Sequence, residues 1–298
     1  MRGVFVVCLI AFCSLLAQDV SGNSISVDQY NVSVVLKAPG TISSGKFVNG
    51  DTWVVYTDGL MIEFTAPAWD MQHNGFELNP ASITQQGFDH RIAGFNASPV
   101  PSLPCPVSAG DRFVKALSKP AGEVDHNVAL LTAIVIVIVS SPPPSDAFRT
   151  PYFGASPLPS PTSYWRFSQL DLNNFDAPPL TPPSTLPSSE IPTWEWMAAR
   201  FQRVQLDHLT NWVSREIHPS RNLPDYGADI ALDTGSGGIR LLFSDNNATK
   251  VPNSPAMMAL VGYVQQGLDW YSILANGGKW PANGGHDEGR KLPIIFAG

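Results

Sequence analysis

The chain has 298 residues, of which 44% are hydrophobic and 14% charged, and its formal net charge is −7. This length allows two domains with a sizeable apolar core. The acidic balance argues against nucleic acid as a partner, because phosphate recognition needs a basic face. With 27 prolines and 24 glycines, much of the chain is expected to form turns and loops.

The first 22 residues have the pattern of a secretory signal peptide. A positive charge precedes residues 4–16, which are apolar but too few to span a bilayer as a helix. Cleavage is expected after Gly22, with Ala17 as a second option and an uncleaved anchor as the alternative. We therefore predict a secreted protein, extracellular or periplasmic, with no membrane contact after cleavage. Cys105 is then the only cysteine of the mature chain, which precludes an intramolecular disulfide bond.

Residues 23–141 are predicted to form an antiparallel β-sandwich, because short β-branched and aromatic runs recur between turn signals. Such runs cover residues 32–36, 52–56, 60–64 and 112–117. The Asp58-Gly59 turn between the second and third runs predicts a hairpin. Residues 128–139 are almost all apolar, and their alternating Ile and Val favour a strand buried on both faces over a membrane helix.

Residues 142–192 are predicted to be a Pro-rich linker. Proline fixes φ and removes a hydrogen-bond donor, so regular structure is not expected here. Aromatic residues such as Phe148, Tyr152 and Trp165 are too apolar for a free tether, and they indicate that the linker packs in part against the core.

Residues 193–298 have helical periodicity and are predicted to form an α-helical domain. In residues 194–212, apolar side chains recur at spacings of three and four and form one stripe, which predicts a first helix. His208 lies on this stripe and is interpreted as a core histidine. Arg203 and Asp207 are four residues apart on the polar side, which predicts an ion pair at the surface.

Three further helices are predicted. The second covers residues 226–243 and is interrupted by glycines, and the third begins at Pro255, after the cap residue Ser254, and ends at Gly277. A fourth helix begins at residues 292–297. Because the chain ends inside this apolar run, we expect a truncated domain or a piece of a longer protein.

Two strings carry a resemblance to known proteins. Residues 45–55, and residues 280–286 together with 289–294, resemble a group of secreted, largely uncharacterised bacterial proteins. The order of sandwich, Pro-rich link and helical hairpins resembles the secreted alginate and heparinoid polysaccharide lyases. The resemblance implies an α+β multidomain fold, with an N-terminal antiparallel β-sandwich followed by α-helical hairpins like the start of an (α/α) toroid. It also implies β-elimination on an acidic, uronate-containing polysaccharide.

The loop that follows the third helix contains the first candidate site. Lyase chemistry needs a cation for the substrate carboxylate, a base for the adjacent proton and an acid for the leaving oxygen. Arg290 or Lys291 can supply the cation, and His286 the base. Trp280 and Asn283 are candidate substrate-binding residues. The alternative is a tight structural turn in which His286 and Arg290 bind backbone carbonyl groups.

The loop between the first two helices contains the second candidate site. Tyr226 is a candidate catalytic acid or base, with Asn222 as carboxylate neutraliser and His218 as its partner. Alternatively, Asn222 is a capping residue and Tyr226 belongs to the core.

The sequence predicts no cofactor and no metal site. Asp207-His208 and residues 286–288 contain metal-ligand residue types, but no spaced ligand motif supports a site there. Four residues of the predicted sandwich are candidates for a sugar-stacking surface: Trp53, Trp69, His73 and Asn74. A non-catalytic extracellular protein that binds a glycan or a partner is therefore the alternative to a lyase, and a glycoside hydrolase is the third hypothesis.

Overall fold

The structure, a computed structural model, describes most of the chain outside the N-terminal segment. The described residues are 23–120, 122, 129–155, 163–171, 191–210, 217–224, 226–242, 248–281, 285 and 287–298. The predicted signal peptide, residues 1–22, lies outside these ranges.

Within these ranges the chain forms nine strands followed by four α-helices, so the fold is mixed α+β. The strands are β1 (Ser24–Gln29), β2 (Val32–Lys37), β3 (Ser44–Lys46), β4 (Thr52–Val55), β5 (Met61–Ala66), β6 (Phe76–Leu78), β7 (Cys105–Pro106), β8 (Arg112–Ser118) and β9 (Leu130–Val139). The helices are α1 (Trp194–Phe201), α2 (Gly227–Leu242), α3 (Pro255–Ala275) and α4 (Lys291–Ala297).

The described strands form two sheets, with strand orders β1-β2-β5-β7 and β3-β4-β9-β8-β6. Every pair among them is antiparallel except β4–β9, which is parallel. The predicted hairpin of β4 and β5 is wrong, because the two strands belong to different sheets. The turn itself forms, with the Leu60 N–H bonded to the Thr57 carbonyl at 3.0 Å. Val54 of β4 and Ile62 of β5 belong to the same hydrophobic cluster. Because the chain passes from one sheet to the other between them, both strands contribute to this cluster.

Strand β9 is buried on both faces, which confirms the prediction made from its alternating Ile and Val. Ile134, Ile136 and Ile138 pack in the cluster that the two sheets share. The intervening valines, such as Val135 and Val137, pack in a second cluster on the opposite face. Successive side chains of a strand point in opposite directions, so one apolar strand can serve both clusters.

The second cluster is continuous from β9 to the helices. The first part of the predicted linker lies inside it, with Phe148, Tyr152 and Phe153 no more than 2% exposed. Trp270 of α3 belongs to the same cluster. Phe148, Tyr152 and Phe153 are therefore core residues that connect the strands to the helices.

Helix α1 ends at Phe201, so the predicted helix over residues 194–212 is wrong beyond that point. The Gln202 N–H bonds to the Ala198 carbonyl and completes the last turn. Residues 204–210 continue without helix and are all buried. An extended segment can bury successive side chains on opposite sides, whereas a surface helix keeps one face in solvent. Trp212 lies outside the described residues.

Helices α2, α3 and α4 lie close to their predicted positions. Helix α3 contacts α1, α2 and α4; Pro255 lies in its first turn as predicted, and Ser254 caps its N-terminus. Its glycines allow close packing: a Cβ atom on Gly262 would lie 2.6 Å from the Phe201 carbonyl oxygen, and one on Gly267 2.1 Å from that of Pro293. In the part of the chain that the structure describes, no helix is both long and apolar enough to cross a membrane.

Candidate functional site

Two residues singled out in the sequence, His218 and Arg290, meet at the buried carboxylate of Asp207. Arg290 donates Nε–H to Oδ2 of Asp207 at 2.8 Å and Nη2–H to Oδ1 at 3.2 Å. His218 Nε2 lies 2.6 Å from Oδ1 of Asp207. All three residues are no more than 2% exposed. The structure thus forms a buried charge cluster, which we name the Asp207 cluster after Asp207, His218 and Arg290.

The predicted surface pair between Arg203 and Asp207 is wrong. The Arg203 guanidinium lies over the Tyr30 ring, 4.1 Å from its centroid. Because residues 204–210 are not helical, the four-residue spacing does not place Arg203 and Asp207 on one face.

Further contacts hold His218 and Arg290 in place. His218 Nδ1 lies 3.3 Å from the Pro224 carbonyl oxygen, so each ring nitrogen lies within hydrogen-bond distance of a protein oxygen. Arg290 Nη1 donates to the Glu288 carbonyl at 2.7 Å, and its guanidinium lies 5.9 Å from the Trp280 ring centroid. The charge of Arg290 is therefore directed inward, to the protein.

The electrostatics of the Asp207 cluster favour an ionised carboxylate. Burial acts to raise the pKa of Asp207, but the charges and hydrogen bonds of Arg290 and His218 outweigh it and hold the pKa below its usual value. A buried charge is tolerated only when it is paired and hydrogen-bonded in this way.

His208 points away from the Asp207 cluster and is a core residue, as predicted. Its Nδ1 lies 3.2 Å from the Tyr152 hydroxyl, and its ring stacks on Phe153 with centroids 5.0 Å apart. The Tyr152 hydroxyl also accepts the Asp207 N–H at 2.9 Å, so it bridges the two neighbouring residues. Burial lowers the pKa of His208 to about 3, so the ring is neutral at physiological pH.

Asn222 is also buried and bonded to protein groups. Its side-chain amide donates to the Val204 carbonyl at 2.6 Å, and its backbone carbonyl accepts from Arg200 Nη1 at 2.6 Å. Asn222 thus joins the loop before α2 to the segment that carries Asp207.

Among the remaining predicted site residues, the structure describes Tyr226 and Lys291. Tyr226 is half-buried beside Gly285, where an added Cβ atom would lie 2.9 Å from the tyrosine hydroxyl. Lys291 is exposed at the start of α4. His286 and Asn283 lie outside the described residues.

A second buried ion-pair cluster, which the sequence did not predict, surrounds Arg149. Its guanidinium donates Nε–H to Asp51 at 2.5 Å, and Nη2–H and Nη1–H to Asp269 at 2.5 and 3.1 Å. Asp51 directly precedes β4 and Asp269 lies on α3, so one side chain connects strands and helices. A charged residue inside the aromatic stretch 147–153 is the sequence signal that points to such a role.

An open cleft lies at one end of β8. It has a volume of about 360 Å³ and is lined by residues 117–120 together with Pro67, Asp70, His73 and Asn74. We name it the His73 cleft. His73 and Asn74, two of the predicted sugar-contacting residues, line it, whereas Trp53 is 8% exposed in the core and Trp69 packs on Phe76.

The His73 cleft presents both signs of charge. His73 Nδ1 lies 2.9 Å from Oδ2 of Asp70. Desolvation acts to raise the pKa of Asp70, but hydrogen bonds from the His73 ring and from the backbone N–H groups of His73 and Gln72 lower it to about 2. Within the described residues, the Lys119 ammonium forms no ion pair. The cleft therefore offers a cation to an incoming ligand.

Comparisons with models of protein families, with curated proteins and with solved structures gave no match. Function is therefore inferred from the geometry of this chain.

Proposed function

We propose that the chain is a secreted, non-catalytic glycan-binding protein that holds an acidic carbohydrate in the His73 cleft. The observation that carries this proposal is the contrast between two places. At the Asp207 cluster, the candidate cation Arg290 is buried and already neutralised by a carboxylate. At the His73 cleft, an open surface combines cationic, polar and apolar groups.

The lining of the cleft suits a uronate sugar. The Lys119 ammonium can pair with the sugar carboxylate, and the His73 ring can donate or accept a hydrogen bond. Pro67, Leu117 and Pro120 supply apolar surface for the C–H face of a pyranose ring. We infer further that the two sheets pack as a β-sandwich that presents this cleft, and that the helices begin an (α/α) toroid.

Calorimetric titration with uronate oligosaccharides tests the proposal. Lys119→Ala should weaken binding several-fold, because it removes the ammonium group that lines the cleft. Lys250→Ala is the matched control, since Lys250 is exposed and lies outside the cleft lining. Absence of binding across a panel of acidic oligosaccharides would overturn the proposal, as would unchanged binding in Lys119→Ala.

A polysaccharide lyase is the second candidate. One observation favours it: His218 and Asn222 of one predicted site and Arg290 of the other all contact the buried segment 204–207. Tyr226 remains partly accessible beside the terminal loop. Incubation with uronate polymers should then give an absorbing unsaturated product, and Tyr226→Phe, which removes only the hydroxyl, should abolish it. No product from the wild-type chain across the panel would dismiss the lyase.

A further inference from the structure

His73 and His90 lie together at the junction of two loops. His73 belongs to the loop after β5, and His90 to the long loop after β6. The His90 N–H bonds to the Gln72 carbonyl at 2.7 Å, which ties the two loops together. The two imidazole rings meet edge to face, with centroids 4.7 Å apart. The two histidines are therefore held close together by a backbone hydrogen bond between their loops, and not only by their side chains.

Asp89 provides a third candidate ligand, a carboxylate, at the same point. One ligand atom from each of His73, Asp89 and His90 lies within 4.8 Å of the other two. Asp89 is fully buried, and Arg91 donates to both of its oxygens at 2.9 and 2.7 Å. Its carboxylate is therefore an ionised group fixed beside the two histidines.

The contact between His73 and Asp70 prepares the imidazole for metal binding. With Nδ1–H donated to the Asp70 carboxylate at 2.9 Å, the lone pair of the ring lies on Nε2. A carboxylate that orients a ligating histidine through its other nitrogen is a recurrent feature of zinc sites. Asp70 is thus a positioning residue for His73.

We propose that His73, His90 and Asp89 form a binding site for a divalent transition-metal ion such as Zn²⁺, at the edge of the His73 cleft. Two imidazoles and one carboxylate match the ligand preference of zinc, whereas Ca²⁺ and Mg²⁺ require oxygen-rich sites.

The geometry requires only small movements. Tetrahedral zinc with bonds of about 2.1 Å needs ligand atoms ~3.3 Å apart, so each pair must approach by at most roughly 1.5 Å. The side chains of His73 and His90 are 27% and 40% exposed, which leaves room for this rotation. The fourth position would be open to water or to an anionic group in the cleft.

Metal titration of the full chain without a histidine tag tests this site. After chelator treatment, Zn²⁺ should bind with one ion per chain, and Co²⁺ should give the visible absorption of a tetrahedral site. His73→Gln and His90→Gln should each weaken Zn²⁺ binding at least tenfold, and Asp70→Asn should weaken it less. Circular dichroism should show that these variants remain folded. Asp89 is not substituted, because it is fully buried and pairs with Arg91.

A second variant addresses the histidines outside the described residues. His126→Gln combined with His286→Gln should bind Zn²⁺ like the wild type. Loss of Zn²⁺ binding in that double variant would overturn the proposal. So would wild-type affinity in the combined His73→Gln and His90→Gln variant, or no Zn²⁺ binding by the wild-type chain. The titration contains no glycan, so its outcome is independent of the proposed carbohydrate binding.

Discussion

Arg290 donates two N–H groups to the carboxylate of Asp207, although 83 residues separate them in the chain. The same carboxylate binds His218, so three distant segments converge on one buried group. Arg290 directly precedes α4, and Asp207 lies in the extended segment after α1. The contact therefore fastens the end of the chain to its helical core.

Asp207→Asn should destabilise the fold strongly. The substitution preserves size but removes the charge of the carboxylate that pairs with the buried Arg290, and breaking a buried pair in this way costs about 3–5 kcal/mol. Urea denaturation, followed by circular dichroism, measures the change in the free energy of unfolding.

The exposed pair of Arg166 and Asp146 is the matched control. Its N–O distance is 2.8 Å, like that of the buried pair, but its side chains are 45% and 22% exposed. Asp146→Asn should therefore cost no more than about 1 kcal/mol. Equal losses in the two variants would contradict a special role for burial at Asp207.

Replacing Arg149 with Lys should also destabilise the fold, because it weakens the connection between the strands and the helices. A lysine cannot reproduce the fork geometry that reaches both Asp51 and Asp269, so one carboxylate remains buried and unpaired. The wild type should unfold in one transition because its core is continuous, whereas Arg149→Lys should unfold at lower urea. Coincident, unshifted curves for both proteins would show that Arg149 does not couple the two parts.

His208 should make the fold less stable in acid. Its pKa is lowered from 6.5 to about 3, so below pH 6.5 the unfolded chain binds a proton that the folded chain does not. Unfolding is therefore favoured as the pH falls from 6.5 towards 3, by about 1.4 kcal/mol per pH unit from this group. Denaturation at several pH values should show that the stability advantage of the wild type over His208→Gln shrinks on acidification. A difference independent of pH would show that His208 is not buried as a neutral ring.

Two glycines in neighbouring helices should respond in opposite directions to the same substitution. Gly262→Ala places a Cβ atom 2.6 Å from the Phe201 carbonyl oxygen, so overpacking should destabilise the fold by about 1–3 kcal/mol. Gly235 in α2 has no atom within 4 Å of an added Cβ, so Gly235→Ala should stabilise by up to about 1 kcal/mol. Thermal denaturation distinguishes these outcomes, and a shift of the same sign in both variants would contradict the packing described for α3.

Local sequence patterns were sufficient to predict elements that can be recognised without knowing which other elements they pack against. The alternating Ile and Val of β9 and the capped apolar run of α3 were sufficient. The placement of β4 and β5 in different sheets was not predictable. A turn signal indicates that the chain reverses direction, but not that the two flanking strands pair with each other. The end of α1 at Phe201 was missed because apolar residues at helical spacing also occur in residues 204–210, which are extended and buried on both sides.

The candidate site was only partly predictable for a related reason. The sequence singled out His218 and Arg290 by residue type, but it paired Asp207 with Arg203 and not with these two residues. Likewise His73 and His90 stand in separate loops with no metal-ligand spacing, and only backbone pairing between the loops brings them together. Such contacts depend on the fold as a whole.

Backbone amide chemical shifts during titration with a uronate oligosaccharide test the central claim most directly, because they locate the bound sugar. Binding in the His73 cleft predicts shifts concentrated in residues 67–74 and 117–120. Shifts concentrated instead in residues 218–226 and 287–291 would contradict the claim and place the ligand at the loops that carry the lyase candidates.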